Sequence, residues 1–316
     1  MDTVAALDVG GTTIKAALLD AQLGILEERQ VPTARGADGT ALAAQVTSLV
    51  REMGGGTSVR AVGVVVPGIV DEEARVARFS ANLDWRDVPF GSLLESRLGL
   101  PVAFGHDVSA GGLAEFRVGA GQGCADAAFV AVGTGIAAAL LLDGRIYRAH
   151  GLAGEIGHID VGHSLRCGCG AVGCLEASAS ASAVARLYSE RAGRVVDGAL
   201  PVIDLARDGD PVASAVVSEA VDGLARGLRT LLTLLGPEVI VLGGGLFAAG
   251  EYVVAPLRER LAASLTFQRM PELRVAKLGP EAGRLGAGLL ALDLLARRTG
   301  GGGGGWVVLF CVGGME

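Results

Sequence analysis

Several residue types are scarce in this sequence. Lysine occurs only at Lys15 and Lys277, aromatic residues make up 4% of the chain and charged residues make up 19%. The formal net charge of −7 disfavours a general nucleic-acid-binding surface, because such a surface needs a basic patch. The longest mostly apolar stretch without a charge, Ala127–Leu142, is shorter than the ~20 residues of a membrane-spanning helix. We therefore expect neither a nucleic-acid partner nor a membrane partner.

The first residues also lack the pattern of a secretory signal. Met1–Thr3 has no basic segment, and Asp8 interrupts the first apolar run, so we expect a cytoplasmic protein. An odd number of cysteines, with three of them close together, does not resemble a disulfide framework. In a cytoplasmic chain such a cluster more often holds a metal ion. The five cysteines are Cys124, Cys167, Cys169, Cys174 and Cys311.

Apolar residues and glycine are abundant. Half of the 316 residues are apolar, and the 50 glycines are about twice the usual ~7%. This length suits two domains, or one domain split by a cleft. The glycine run Gly300–Gly305 and the apolar run Trp306–Val312 differ from everything before them. We expect residues 299–316 to form a disordered tail, with an oligomer contact as the alternative.

Short apolar runs alternate with segments of helical periodicity, which predicts an α/β fold. The strand candidates are Val4–Val9, Ile14–Leu19, Ala61–Val66, Val102–Phe104, Ala127–Val132, Ile136–Leu142 and Val239–Leu242. The helix candidates are Asp38–Met53, Asp107–Phe116, Val212–Leu235 and Arg284–Arg297. The strand–glycine–strand pattern of the N-terminus recurs at Ala127–Leu142, which indicates two related halves. We expect residues 1–107 plus 283–298 to form a small α/β domain, and residues 108–282 a large one that contains the cysteine loop.

A glycine hairpin after the first strand candidate is the first candidate phosphate site. Its glycines let the backbone approach a phosphate closely, and its hydroxyl and ammonium groups can donate to phosphate oxygens. The carboxylate at the strand end could orient Mg²⁺ through waters. The spacing is not that of a P-loop, and an ordinary turn is the alternative. The residues are Asp8, Gly10, Gly11, Thr12, Thr13 and Lys15.

Two further glycine turns are candidates for nucleotide binding. Gly133-Thr134-Gly135 repeats the first hairpin in the second half of the chain. Gly243-Gly244-Gly245 follows a buried strand, and ligands of open α/β sheets bind at the carboxyl ends of strands. Its last two glycines, Gly244 and Gly245, are the candidates for contact with a nucleoside. For both turns the alternative is a purely structural connection.

Asp107 follows a strand candidate and opens a helix, in the segment Gly105-His106-Asp107. A carboxylate at this position is a common helix N-cap, which is the alternative interpretation. Its position in the chain between the two glycine hairpins favours a catalytic role.

Four residues form a candidate metal site: His158, Cys167, Cys169 and Cys174. A Cys₃His set satisfies tetrahedral Zn²⁺ without an open position, so the zinc would be structural. His163 is the rival fourth ligand, and three unligated thiols are the alternative. Glu155 and Glu176 flank this loop and could accept hydrogen bonds from a polyol.

The motifs described above occur in the order and spacing of the ROK family of sugar kinases, which this sequence resembles over residues 3–298. Those kinases belong to the actin-like, hexokinase-like superfamily. The resemblance implies an α/β, two-lobed, ribonuclease H-like fold with an interlobe cleft, an ATP and Mg²⁺ requirement, and a homodimer. It implies that Asp107 is the base for the sugar hydroxyl, and that His158 binds zinc through one nitrogen and supports the sugar through the other. It also implies a sugar pocket lined by Gly68, Asn82, His106, Glu155, His158 and Glu176.

Three features depart from the family pattern. His106 stands where the family usually has Asn, Ile136-Ala137-Ala138 replaces a glycine-rich stretch, and the tail has no counterpart. The first departure leaves open the sugar, which could be glucose, mannose, fructose, an amino sugar or a cyclitol, and the donor could be ATP or polyphosphate. A sugar-sensing ROK regulator carries a DNA-binding helix-turn-helix before its first strand. We do not expect one here, because the first strand candidate starts by Val4 and the chain is acidic. A non-catalytic sugar-binding protein is disfavoured because Asp107 and both hairpins are present.

Overall fold

The computed structural model describes residues 3–56 and 58–298. Its strands are β1 (Thr3–Val9), β2 (Thr13–Leu19), β3 (Ile25–Pro32), β4 (Val59–Val66), β5 (Ile69–Asp71), β6 (Val76–Ser80), β7 (Trp85–Val88), β8 (Val102–His106), β9 (Ala127–Val132), β10 (Ile136–Leu142), β11 (Arg145–Tyr147), β12 (Val239–Gly243) and β13 (Glu272–Val275). Its helices are α1 (Thr40–Met53), α2 (Phe90–Leu98), α3 (Asp107–Val118), α4 (Leu175–Ala179), α5 (Ala181–Ala192), α6 (Ala199–Arg207), α7 (Pro211–Leu235), α8 (Glu251–Ser264) and α9 (Ala282–Arg298). The predicted tail, residues 299–316, lies outside the described residues.

The contacts within the chain separate two compact units. Among the described residues, the first contains Thr3–Arg117, Arg145–Ala153 and Pro280–Arg298, and the second contains Val118–Gly144 and Gly154–Gly279. The predicted domain limits stay a prediction.

The first five-stranded sheet has the strand order β3-β2-β1-β4-β8. β1 and β2 form the predicted antiparallel hairpin, in which Asp8 lies opposite Lys15. β4 runs parallel to β1 and β8 runs parallel to β4, so the carboxyl ends of these three strands lie at one edge. Asp8, Val66 and His106 are therefore near neighbours at that edge.

Helices cover both faces of this sheet. One face carries Leu7, Val62 and Val64, which pack with apolar residues of α1 and α2. The other face receives α9, whose backbone comes so close to β4 that a Cβ at Gly63 would lie 1.8 Å from the Ala287 carbonyl oxygen. Because no side chain fits there, glycine at position 63 is what lets the last helix dock.

The second five-stranded sheet has the order β11-β10-β9-β12-β13. β9 and β10 form an antiparallel hairpin, β12 runs parallel to β9, and β13 runs parallel to β12. A hairpin followed by two parallel strands is also the plan of the first sheet, so the predicted internal repeat is found. A smaller antiparallel sheet, β5-β6-β7, lies in the first unit between β4 and α2 in the chain.

The longest described helix, α7, has clear start and stop signals. The Asp210 carboxylate accepts hydrogen bonds from the Val212 and Ala213 N–H groups, Pro211 occupies the first turn, and Gly236 closes the helix in the left-handed conformation. No helix within the described residues is long and apolar enough to cross a membrane.

Candidate active site

The loop between β1 and β2 is held by the segment that follows β3. The Gly10 N–H donates to the Thr13 carbonyl at 2.9 Å, which closes the turn. The Thr33 N–H donates to the Thr12 carbonyl at 2.9 Å, and the Thr33 hydroxyl donates to the Gly10 carbonyl at 2.7 Å. Because these carbonyls are engaged, the loop presents a fixed set of groups to any ligand beside it.

Two cations lie at this loop. The Arg35 guanidinium donates to the Gly11 carbonyl at 3.2 Å, and the Lys15 ammonium donates to the Pro280 carbonyl at 3.3 Å. Lys15 was a candidate from the sequence, whereas Thr33 and Arg35 were not. No sequence pattern identifies Thr33 and Arg35 as site residues, because only the pairing of β2 with β3 brings them to the loop.

Asp8 is the second-last residue of β1, beside the loop, and its pKa is raised to about 6. Burial is the main cause and the neighbouring Asp107 carboxylate adds to it, while Lys15 and Arg284 act in the opposite direction. The start of α9 comes close to this carboxylate, because a Cβ at Gly283 would lie 2.7 Å from Asp8 Oδ2. A divalent cation beside Asp8 would offset the repulsion that the Asp107 carboxylate exerts on it.

Asp107 is the first residue of α3, and His106 is the last residue of β8. Asp107 Oδ1 accepts the Val108 N–H at 2.7 Å and lies 3.0 Å from His106 Nε2. Burial raises the pKa of Asp107, and His106 and the Val108 N–H partly offset that rise. The side chain nevertheless keeps 31% of its surface exposed, so a substrate can reach it.

Gly68 and Asn82 belong to the segment around the small sheet. Gly68 has a φ of 111°, and a Cβ there would lie 2.2 Å from the Phe79 carbonyl oxygen, so the connection from β4 to β5 requires glycine. Asn82 lies against the β1–β2 loop, since a Cβ at Gly11 would be 3.0 Å from the Asn82 carbonyl oxygen. A predicted sugar residue and a predicted phosphate loop are therefore adjacent within the first unit.

In the second unit, the Gly133–Gly135 turn joins β9 to β10. The Gly133 N–H donates to the Gly135 carbonyl at 2.9 Å, and the Gly133 carbonyl accepts the Ala181 N–H at 2.8 Å. Glu176 lies directly behind the turn, because its Oε2 accepts the Ile136 N–H at 2.8 Å. Thr134 is exposed at the tip of the turn.

The Gly243–Gly245 turn lies beside this second hairpin. Gly244 has a φ of 92°, and a Cβ there would lie 2.3 Å from the Val132 carbonyl oxygen at the end of β9. No atom lies within 4 Å of a Cβ built on Gly245, so the backbone is open to a ligand there. Both candidate nucleotide turns thus meet at the carboxyl edge of β9 and β12.

The candidate metal residues are brought together. The ligand atoms of the four residues all lie within 4.8 Å of one another. Cys167 Sγ is 3.7 Å from His158 Nδ1, and Cys169 Sγ is 3.7 Å from Cys174 Sγ. Burial raises the pKa of the Cys174 thiol, so this residue would remain protonated unless a cation displaces the proton. Three sulfur atoms and one imidazole nitrogen at these separations fit a tetrahedral zinc ion. The set is His158, Cys167, Cys169 and Cys174.

His163 does not belong to this cluster. Its Nδ1 accepts the Leu165 N–H at 3.2 Å, and its Nε2 donates to the Cys174 carbonyl at 3.1 Å. With both ring nitrogens bonded to the backbone, His163 shapes the loop, and His158 is the geometrically suited imidazole.

The two ring nitrogens of His158 have different neighbours. Its Nδ1 points toward the cysteines, while its Nε2 is 3.8 Å from Glu155 Oε2. The segment is pressed against β10, since a Cβ at Gly157 would be 2.2 Å from the Ile136 carbonyl oxygen. Glu155, His158 and Glu176 therefore lie near the β9–β10 hairpin, within the second unit.

Taken together, the two units present carboxylates at strand ends, glycine hairpins suited to phosphates and a polar set suited to a polyol. Such a combination is typical of a phosphotransferase that acts on a hydroxyl compound. Comparison with known protein families matches residues 4–294 to the ROK family. The chain belongs to the ROK family, and it is a sugar kinase.

Named relatives and solved structures agree. The glucokinase of Streptomyces coelicolor is 32% identical over 308 residues, covering 91% of this chain and 96% of that protein. The N-acetylgalactosamine kinase AgaK of Shewanella sp. (strain ANA-3) is 31% identical, covering 91% of this chain and 96% of that protein.

Among solved structures, the ROK hexokinase from Thermus thermophilus aligns with a TM-score of 0.82 and 35% identity, covering 94% of this chain and all of that one. The ROK family glucokinase from Streptomyces griseus, in complex with glucose and AMPPNP, aligns with a TM-score of 0.78 and 32% identity, covering 92% and 99%. The predicted fold class, that of the two-lobed sugar kinases, is confirmed.

Proposed function

We propose that this kinase transfers the γ-phosphoryl group of ATP to a primary hydroxyl of a hexose, O6, with Asp107 as the general base. The observation that carries the proposal is the Asp107 carboxylate, fixed at a strand end beside Asp8 and partly exposed. Its raised pKa makes it a better proton acceptor near neutral pH than an ordinary aspartate. The glucose and AMPPNP bound to the Streptomyces griseus relative support this choice of substrates.

In the first unit, the loop after β1 would hold phosphate oxygens. Backbone N–H groups, the Thr12 and Thr13 hydroxyls and the Lys15 ammonium are the donors, and Gly10 and Gly11 keep the loop open. Asp8 would orient Mg²⁺ through waters. Magnesium, when bound with the nucleotide, neutralises charge on the phosphate oxygens. On the sugar side of this unit we assign Gly68, Asn82 and His106.

In the second unit, Gly133, Thr134 and Gly135 would contact phosphates, and Gly244 and Gly245 would contact the nucleoside. The Nε2–H of His158 would donate to a sugar hydroxyl, and Glu155 and Glu176 would accept hydrogen bonds from sugar hydroxyls, since a carboxylate accepts from two hydroxyls at once. A structural zinc ion on His158, Cys167, Cys169 and Cys174 would hold these acceptors in place. Phosphoryl transfer then depends mainly on positioning and on charge neutralisation.

The test of the proposed base is Asp107→Asn. This variant should lose turnover by a factor on the order of 10²–10⁴ while keeping sugar binding, because the amide fills the same space but accepts no proton. The measurement is kcat in a coupled ATP assay together with the sugar Kd from calorimetry. A kcat within threefold of wild type would show that Asp107 is a helix cap only.

Glucose leads the proposed substrates because the closely similar relatives include glucokinases. An amino sugar or a cyclitol is the second candidate, favoured by His106 in place of the usual Asn and by the similarity to AgaK. A panel of hexoses, N-acetylhexosamines and cyclitols, each with ATP and with polyphosphate, separates them by kcat/KM. Glucose ranking below an amino sugar or cyclitol would overturn the first choice.

Three further assignments complete the proposal. We infer a homodimer, a cytoplasmic location, and no nucleic-acid or membrane partner. The sequence alone left a sugar-sensing regulator without catalysis as an alternative. Turnover of any sugar in the panel argues against it.

A further inference from the structure

His106 contacts the carboxylate that we assign as the base. Its Nε2 lies 3.0 Å from Asp107 Oδ1, and its Nδ1 lies 3.5 Å from the Ser109 hydroxyl oxygen. With its proton on Nε2, the neutral imidazole donates to Asp107 and accepts from Ser109. Only 15% of the His106 side chain is exposed, so the packing around the ring restricts its rotation.

The contact makes the two oxygens of the Asp107 carboxylate different from each other. The donors from His106 and Val108 both end on Oδ1. Within residues 3–56 and 58–298, no side-chain donor is bonded to Oδ2. A carboxylate bound through one oxygen at a helix start cannot rotate freely, and its second oxygen is left to accept a proton from a ligand.

We propose that His106 is a positioning residue for phosphoryl transfer, which fixes Asp107 through Oδ1 so that Oδ2 accepts the proton of the sugar hydroxyl. The step is balanced: the hydroxyl oxygen bonds to the γ-phosphorus, its proton moves to Oδ2, and the bond from phosphorus to ADP breaks. The proposal rests on the assignment of Asp107 as the base. It adds a role toward the base to the sugar-side assignment of His106, and it differs from a role as a sugar ligand alone because the ring nitrogen nearest the base is already engaged.

Two amide side chains distinguish these roles. The amide nitrogen of Gln lies as many bonds from Cα as Nε2 of His, whereas that of Asn lies as many bonds away as Nδ1. His106→Gln therefore keeps a donor that reaches Asp107 Oδ1, while His106→Asn keeps only a group on the Ser109 side. His106→Phe removes both nitrogens and keeps the ring. If His106 instead serves the sugar as the usual Asn does, Asn is the better replacement.

We expect kcat to fall about tenfold in His106→Asn and His106→Phe and to stay within about threefold in His106→Gln, since a hydrogen bond to a charged group is being lost or kept. The sugar KM should change less than kcat. The acidic limb of the kcat–pH profile should move to higher pH in Asn and Phe, because a donor to the charged form of Asp107 is lost. The other charged group beside Asp107 is Asp8, whose own charged neighbours are Lys15, Arg284 and Glu281. All four residues are unchanged in these variants.

The experiment compares these three variants with Asp107→Asn and with His150→Asn, the control variant at an exposed histidine, using thermal unfolding to verify folding. The proposal is supported if kcat is highest in the wild type, next highest in His106→Gln, and lowest in His106→Asn and His106→Phe. Equal kcat in all His106 variants, or a raised sugar KM at unchanged kcat, overturns it even when Asp107→Asn is inactive. An active Asp107→Asn instead overturns the base assignment beneath it. If the Phe variant fails to fold, the comparison of Gln with Asn decides.

Discussion

At the scale of single residues, Asp8 lowers the stability of the fold at neutral pH, and the proposed function gives a reason for that loss. Its pKa of about 6 lies above the ordinary 3.8, so between about pH 4 and pH 6 the folded chain binds more protons than the unfolded chain. The free energy of unfolding therefore falls as the pH rises through that window, and the full penalty is present above pH 6. Such a penalty is tolerated where a buried carboxylate serves a ligand.

Asp8→Asn should raise the free energy of unfolding at pH 7.5 by about 1–3 kcal/mol and should abolish turnover. The gain should disappear below about pH 4, where the wild-type carboxyl is protonated in both states. Urea unfolding at pH 3.5, 5 and 7.5 measures this, with Asp20→Asn as the control, since Asp20 is a half-buried turn residue outside the candidate site. A variant that is less stable than wild type at pH 7.5 would contradict the expected sign.

Residue types and spacing predicted the candidate metal cluster with His158 as its imidazole, but His163 remained a rival. His158 and His163 are both close in sequence to the cysteines, and only the three-dimensional bonding of His163 to Leu165 and Cys174 separates them. The contact of His106 with Asp107 could not be read from the sequence either, since a side-chain rotamer decides it. Arg35 stayed hidden because its approach to the loop depends on the register of β3.

At the scale of elements, the cysteine loop and the β9–β10 hairpin are joined. Cys174 directly precedes α4, whose Glu176 accepts the Ile136 N–H behind the hairpin. Cys167 and Cys174 also form a small buried cluster with Ala177. A change in the metal loop should therefore reach the hairpin through one short helix.

We expect one tightly bound zinc ion per chain, and Cys174→Ser should lose it. The variant should unfold at lower temperature, and the sugar Kd should rise, because Glu176 and Glu155 lose their support. Cys124→Ser is the matched control: it also places a hydroxyl at a buried cysteine, yet it should keep the metal. Elemental analysis that finds no stoichiometric metal in the wild type would remove the basis of this expectation.

The predicted elements were those whose pattern is strong. β9 and β10 begin and end where the apolar runs do, and α7 carries a long apolar stripe between clear end signals. β3 was missed because it is an exposed edge strand rich in charge, with the sequence Ile-Leu-Glu-Glu-Arg-Gln-Val-Pro. The three strands of the small sheet are short and partly polar, so their pairing partners, and not their own composition, make them strands.

At the scale of the whole molecule, the first unit depends on a distant part of the sequence. α9 packs on β1, β4 and β8, the strands whose ends carry Asp8 and His106. The backbones come very close where Gly63 of β4 packs against Ala287 of α9. The repeated hairpin pattern in the sequence predicted the second sheet. The close approach of α9 to β4 at Gly63 could not be predicted in this way, because it depends on how the backbones pack.

Gly63→Ala should destabilise the protein by about 3 kcal/mol or more, at or above the usual range for overpacking, because the neighbour is backbone and cannot change rotamer. Gly55→Ala, where a Cβ meets no atom within 4 Å, should change stability by less than about 0.5 kcal/mol. Chemical denaturation of both variants provides the comparison. Equal stability of the two would mean that α9 does not dock as described.

During protein synthesis, α9 is made long after the strands on which it packs. A ribosome releases β1, β4 and β8 long before residues 282–298, so the face that awaits the last helix stays uncovered while more than half of the chain is still being made. During that interval the nascent first unit exposes apolar surface and needs protection from aggregation. Translation that stops before α9 leaves Asp8 and Asp107 on an incomplete scaffold, and so only a chain read through its last helix can become an active kinase.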